Sequence, residues 1–217
     1  MKTFLSIGSG PGIGIATAER FAREGFRIVL TSRDTAKLSD RARRLKAGGY
    51  AVEVKAVDAG DLASVSALIR ETEAQFGAID VMHFNAASMH SATIESQAAE
   101  SIVPDLTVNI GAALVATQEV SRGMLKRGAG TILLTGGAFA ITPHPDYLSL
   151  SIGKAGLRAL TQALFATFRE RGVHIASVNV ATLVSPGSVE ARGVADAFWG
   201  LHDSPSEAWS PEVTYST

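Results

Sequence analysis

Four glycines fall at alternate positions in Gly8-Ser9-Gly10-Pro11-Gly12-Ile13-Gly14. With no Cβ in the way, main-chain N–H groups at such a turn can close on an anion. The apolar run Thr3–Ile7 precedes it, and an amphipathic stretch, Ile13–Glu24, follows. Strand, tight turn and helix N-terminus in that order hold a pyrophosphate. The turn allows close approach, and the helix end supplies free N–H groups and partial positive charge. Gly8, Ser9, Gly12, Ile13 and Gly14 are therefore candidate dinucleotide contacts.

The end of the second strand bears on which dinucleotide. A carboxylate there selects an unphosphorylated ribose by bonding its 2′-hydroxyl. Here the residues are Thr31-Ser32-Arg33. Serine stands where the carboxylate belongs, and a guanidinium follows that can grip a 2′-phosphate through charge-assisted bonds. Ser32 and Arg33 thus favour NADP(H) over NAD(H).

Positioning such groups takes a scaffold, and the hydrophobic pattern supplies one. β-rich runs fall at Thr3–Ile7, Arg27–Thr31, Ala51–Ala56, Val81–Phe84, Thr131–Leu134 and His174–Val180. Helical periodicity falls between them, near Ile13–Glu24, Thr35–Ala47, Leu62–Gln75, Pro104–Lys126 and Ser151–Arg171. Alternation of this kind predicts βαβ units and a parallel sheet. The right-handed crossover rule then gives an α/β fold: a Rossmann-type, doubly wound sheet in three layers, one domain over residues 1–217. Gly25 and Gly48-Gly49 punctuate helix ends, and Asp34 is placed to cap the second helix. A short helix is expected over Val189–Leu201 and an edge strand over Glu212–Tyr215. Thr182–Ser188 is a loop at the sheet edge where such folds place ligands.

Composition narrows the partners. A net charge of −1 leaves no basic excess for a nucleic-acid backbone. No cysteine is present, so neither a disulfide framework nor a thiolate nucleophile is available. The apolar run at the amino terminus stops at Gly8, short of a signal sequence. No stretch is expected to approach the ~20 apolar residues of a membrane span, and the expected setting is the cytoplasm. Met82, His83, Met89 and His90 cluster around the fourth strand, with no spacing that marks a metal site. Trp199 and Trp209 are expected to be core or interface residues.

Further matches give the pattern a family likeness. Gly8-x-x-x-Gly12-x-Gly14 resembles the cofactor turn of the short-chain dehydrogenase/reductase family, whose threonine before the first glycine is Ile7 here. Asp58 stands where that family's aspartate meets the adenine ring, and Asn85-Ala86-Ala87 resembles its Asn-Ala-Gly motif. Asn109 is similar to the asparagine of its fifth helix, and Lys154 to its active-site lysine. Pro186-Gly187 resembles its Pro-Gly, three residues further from Asn179 than the pattern has it. The resemblance makes Asp58, Asn85, Ala86, Lys154 and Pro186 cofactor contacts. It implies a carbonyl or alcohol substrate and a homodimer or homotetramer built through the helices bearing Asn109 and Lys154.

The same resemblance exposes a gap. The family's general acid is a tyrosine four residues before the lysine, and its serine ends the fifth strand; those positions hold Leu150 and Gly137. Its asparagine, placing a water in the proton relay, corresponds to Asn109. Two accounts stay open: an NADP-dependent oxidoreductase with other catalytic groups, or a silent cofactor-binding domain acting as sensor or assembly partner. An interaction subunit with an empty turn is a third. For the first, Tyr147 is the leading proton donor, seven residues before Lys154 in nearly the same helical direction. His144 is a second donor, and Thr135 could stand in for the serine with a changed strand end.

Overall fold

A computed structural model describes residues 1–217. Seven strands form one sheet: β1 (Thr3–Ile7), β2 (Arg27–Ser32), β3 (Val52–Ala56), β4 (Val81–Phe84), β5 (Gly130–Thr135), β6 (Val173–Val180) and β7 (Glu212–Tyr215). Their order is β3-β2-β1-β4-β5-β6-β7, and every pairing is parallel. The order reverses between β1 and β4, so the chain leaves their carboxyl ends in opposite directions and opens a crevice there.

Helices cover both faces. On one side lie α3 (Leu62–Phe76), α5 (Ala112–Arg127) and α6 (Leu148–Arg169). On the other lie α1 (Ile13–Arg23), α2 (Ala36–Ala47) and α7 (Val189–Asp203). Strand alternation divides the core accordingly. Leu5, Ile7, Met82 and Phe84 pack toward α3 and α5, whereas Phe4, Val81, Leu133 and Val178 pack toward α1 and α7. Phe4 and Phe21 are fully buried and stacked with centroids 4.3 Å apart. Each such ring contributes about 1.5–3 kcal/mol by leaving water. Buried on both faces, the central strands are near-continuously apolar.

The observed fold is the α/β doubly wound sheet that the βαβ pattern predicts, edge strand included. Two helices differ from expectation near the crevice. The stretch expected as a helix from Pro104 begins at Ala99 as α4 (Ala99–Leu106), then widens into a π turn over Thr107–Gly111 before α5. Pro104 lies inside α4, where its ring removes one N–H from the ladder, and the wider turn follows directly. α6 begins at Leu148 rather than Ser151, and Tyr147, with φ −136° and ψ 46°, is its non-helical N-terminal flank.

The expectation that no stretch reaches spanning length needs one correction. The joined helix Ala99–Arg127 is, by length and composition, apolar enough to cross a membrane. Its carboxyl-terminal part serves the core, with Ala112, Ala116 and Val120 fully buried against the sheet, while Ile102, Val103 and Leu114 are exposed.

Candidate active site

The glycine turn connects β1 to α1 and divides into two kinds of glycine. A Cβ at Gly14 would come 2.5 Å from the Gly8 carbonyl oxygen and 2.9 Å from Ser9 Cα. Gly8 has φ +89°, and a Cβ there would meet Ala86 N at 2.5 Å. Those two are glycine because the backbone packs on itself. Gly10 and Gly12 face open space: nothing lies within 4 Å of a Cβ at Gly10, and only Val184 is near Gly12, at 3.8 Å. No side chain caps α1 at Gly12, so the helix keeps free N–H groups at the crevice. Beneath the turn, buried Ser9 accepts from Thr31 N (2.9 Å) and donates to Ser6 O (3.3 Å). Asn85 donates to Gly8 O (2.8 Å) and ties the turn to the end of β4.

Two cavities extend from this turn. One, about 450 Å³, runs toward β2 and β3 and is walled by Gly8, Ser9, Ser32, Arg33, Asp58 and Ala86 among others. Arg33 and Asp58 are both exposed on its rim. Asp58 Oδ1 accepts from Gly60 N (2.9 Å), which fixes the carboxylate beside the pocket. An adjoining hollow of about 360 Å³ brings Lys37, Arg41 and Arg44 of α2 next to Ser9, Gly10 and Ser32. These three cations were not anticipated from the sequence. Their signal is the spacing from Arg33 through Lys37 and Arg41 to Arg44, close to one helical face.

The second cavity, about 660 Å³, runs the other way along the carboxyl ends of β5 and β6. Lys154, Tyr147, Leu150 and Gly137 all line it, together with Ile13 and Thr135. Half-buried Lys154 donates from Nζ to Thr135 O (2.6 Å), and burial lowers its ammonium to about 8. Thr135 Oγ1 is engaged with His83 Nε2 (2.9 Å). Burial first, and the Lys154 charge second, hold fully buried His83 down to about 3, so it is neutral. The Thr135 hydroxyl is thereby committed to the sheet interior rather than the cavity. Gly137 has an extended backbone (φ −176°), and a Cβ there would make ordinary contacts with the Lys154 stem at 3.7–3.8 Å. Leu150 is 4% exposed.

Tyr147 reaches the cavity wall from the helix flank rather than from a lower turn of α6. Its ring stacks on Phe139, with centroids 5.7 Å apart and planes at 23°. His144 packs edge-on to Tyr147 at 5.6 Å, and its Nδ1 accepts from Asp146 N (3.1 Å). It is not among the residues that wall the cavity. Pro186 lies on the exposed loop outside both cavity walls, and Val184 and Leu183 of the same loop line the second one instead.

Asn109 is placed by the π turn and is 3% exposed. Its Oδ1 accepts from Ser88 N (2.7 Å) and its Nδ2 donates to Ser88 O (3.1 Å). The side chain thus clamps the loop after β4. A Cβ at Gly153 would collide with Asn109 Cβ, which is why α6 can approach the π turn so closely. One turn earlier, the nearly buried Asp105 carboxylate accepts from Ser88 Oγ (2.5 Å), His90 Nδ1 (3.0 Å) and Gln97 Nε2 (3.0 Å). This network joins α4 to the loop that precedes it, across 8 to 17 positions, and no helical or strand spacing announces it. No group of three or more His, Asp or Glu side chains is arranged to hold a metal ion.

Comparison with known proteins agrees with this geometry. The short chain dehydrogenase family model matches residues 2–193. An uncharacterized oxidoreductase of Staphylococcus saprophyticus is 31% identical over 202 residues, covering 92% of this chain and 83% of that protein. The crystal structure of a short-chain dehydrogenase from Rhodopseudomonas palustris superposes with a TM-score of 0.91 at 25% identity, covering 100% of this chain and 98% of that one. A metagenomic short-chain oxidoreductase solved in complex with NADP shares the fold, with a TM-score of 0.89 at 24% identity over 99% of this chain and 96% of that one. The glycine turn at the β1/β4 switch point, the lysine of α6 and the family match over most of the length together place this chain in the short-chain dehydrogenase family.

Proposed function

We propose that the protein is an NADP(H)-dependent oxidoreductase acting on a small carbonyl or alcohol, with Tyr147 as proton donor and Lys154 as its cationic partner. The observation that carries this reading is continuity. The two cavities share Gly10, Asn85 and Ala87 as walls, so the space for one extended molecule runs from Arg33 at one end to Lys154 at the other. The open face of Gly12 and the uncapped end of α1 suit a pyrophosphate at the midpoint. Ser32 and Arg33 suit a 2′-phosphate at one end, and Lys37 and Arg41 add positive charge beside it. The related metagenomic oxidoreductase holds NADP on the same fold.

When bound, the nicotinamide supplies or accepts a hydride. Asp58, Asn85 and Ala86 would align the adenosine half, with the Lys154 ammonium on the nicotinamide ribose. Tyr147 contributes the most acidic hydroxyl type on the wall, a phenol, and would deliver a proton to the substrate oxygen. Asn109 acts through its clamp on Ser88, which positions the loop beside the reaction end. Apolar Val103 (70% exposed), Leu114 (48%) and Ile152 (50%) on α4, α5 and α6 support a dimer or tetramer through those helices.

A panel of carbonyl compounds with NADPH tests the chemistry. Tyr147→Phe should lower turnover ~100-fold or more while leaving NADPH affinity unchanged. Full activity in that variant removes Tyr147 from the mechanism. The rival reading, a silent NADP(H)-binding domain, draws support from the buried Leu150 side chain and bare Gly137 facing Lys154.

A further inference from the structure

The second cavity is unevenly furnished. Five side chains on its wall carry polar atoms: Asn85, Thr135, Thr182, Lys154 and Tyr147. Each of the first four already makes a bond within the protein, which leaves Lys154 Nζ as the charged donor with capacity to spare. Asn85 donates to Gly8 O (2.8 Å), Thr135 pairs with His83 (2.9 Å), Thr182 with Thr217 (3.0 Å), and Lys154 donates to Thr135 O (2.6 Å). The Tyr147 hydroxyl is the remaining one. A polyhydroxylated ligand entering here would exchange many water bonds for few protein bonds, which costs free energy per unmade bond.

The apolar groups are arranged in the opposite sense. The Phe139 and Tyr147 rings stack at 23° and form one aromatic wall. Leu150 makes a buried apolar floor. At the mouth, Met89 from the loop after β4 is 73% exposed and Leu183 from the loop after β6 is 93% exposed. Two separate loops therefore hold large apolar side chains in water on the wall of one cavity. A flat apolar ligand would cover both and lie against the ring pair, and methionine adapts to its outline.

Resting on the oxidoreductase reading of this cavity, we propose that its substrate is an uncharged aromatic ketone or aldehyde, or the matching alcohol. One oxygen points to Tyr147 and Lys154, and an aromatic body lies between the Phe139 ring and the Met89 and Leu183 rim. Sugars and other polyols should bind far more weakly, since few groups on this wall are free to replace their bonds to water.

Calorimetry on the NADP+-saturated protein tests this with no turnover, because the oxidised cofactor has no hydride to give a ketone. The probes are 2-acetylnaphthalene and glucose. NADP+ is titrated first; failure of that step overturns the cofactor reading alone, because the ketone can still be titrated into the free protein. The expected result is 2-acetylnaphthalene binding at least about 100-fold more tightly than glucose. Leu183→Ser, an exposed change that spares the core, should weaken the ketone about 10-fold, the scale of losing one apolar side chain from the contact. Phe139→Ala should weaken it by a similar factor. Glucose binding as tightly as the ketone, or wild-type ketone affinity in Leu183→Ser, overturns the proposal.

Discussion

Gly12 and Gly14 lie two residues apart in the same turn, and alanine at each should fail in a different way. At Gly14 the added Cβ arrives 2.5 Å from Gly8 O and 2.9 Å from Ser9 Cα, both main-chain atoms of the turn. Neither can swing aside as a side chain would, so the turn itself must move. Overpacking of this kind costs about 1–3 kcal/mol. In a domain of this size that lowers Tm by about 2–4 °C for each kcal/mol. At Gly12 the added Cβ meets only Val184, at 3.8 Å, an ordinary contact. Its cost therefore falls on whatever approaches the turn from outside. Gly12→Ala should keep a Tm closer to wild type than Gly14→Ala, and should weaken NADPH by at least about 10-fold, or roughly 1.4 kcal/mol. Thermal denaturation with and without NADPH reads both effects. Saturating NADPH at about 100 times its Kd adds about 2.7 kcal/mol to the wild type, and that increment should shrink in Gly12→Ala. Wild-type NADPH affinity in folded Gly12→Ala would refute the cradle. An unchanged Tm in Gly14→Ala would refute the division of labour between the glycines.

Three further outcomes follow from the geometry. Arg33→Ala should weaken NADPH by roughly 1.5–3 kcal/mol and leave NADH nearly unchanged in a fluorescence titration; equal losses would remove Arg33 from a 2′-phosphate contact. Folded His83 stays neutral down to about 3 against an ordinary value of 6.5, so between those values the unfolded chain binds the extra proton and stability falls as pH falls. His202, lowered to about 4 by burial first, acts with the same sign, while Lys154, lowered to about 8 from 10.5, makes stability rise as pH climbs from 8 to 10.5. Replacing His83 and Thr135 together with valine removes both partners of a buried pair, so urea unfolding should show a shallower loss between pH 6.5 and 4 than wild type. An unchanged acid limb would exonerate His83. Finally, Gly137→Ser with Leu150→Tyr should create or raise carbonyl reduction with NADPH, and no gain in a folded double variant would argue against a site that lacks only those hydroxyls.

The sheet was legible because each of its central strands writes the same local signature. Runs such as Thr3–Ile7 and Val81–Phe84 are apolar, short and bounded by turn residues, whichever partner they later meet. The glycine turn was legible for a similar reason, since its spacing is a local steric requirement. Helix starts were less so. Tyr147 carries no Ser, Thr, Asp or Asn signal, yet it flanks α6, and the π turn that places Asn109 depends on how α4, α5 and α6 pack. Hydrogen bonding across the sheet was not legible at all. His83 and Thr135 are 52 residues apart, and only the pairing of β4 with β5 joins them. The pairing of the Thr135 hydroxyl with His83, which turns it toward the sheet interior, is therefore a fact of tertiary structure.

The two glycines that follow β5 show which features of the site the fold imposes. A Cβ at Gly136 would collide with Asn179 Oδ1 on the neighbouring strand, so glycine there follows from the close approach of β5 and β6. Gly137 has no such constraint: its backbone is extended and a Cβ would sit at contact distance from the Lys154 stem. Lys154 in turn is anchored on a main-chain oxygen, Thr135 O, and makes no hydrogen bond that depends on the side chain at position 137 or 150. Cofactor grip and proton supply are thus mechanically separate. The first rests on the backbone of the glycine turn and on side chains at the β2 end and on α6; the second rests on side chains at other positions. The dinucleotide crevice therefore does not depend on which side chains stand at positions 137 and 150, and the Tyr147 phenol reaches the cavity wall from the flank of α6, not from its floor.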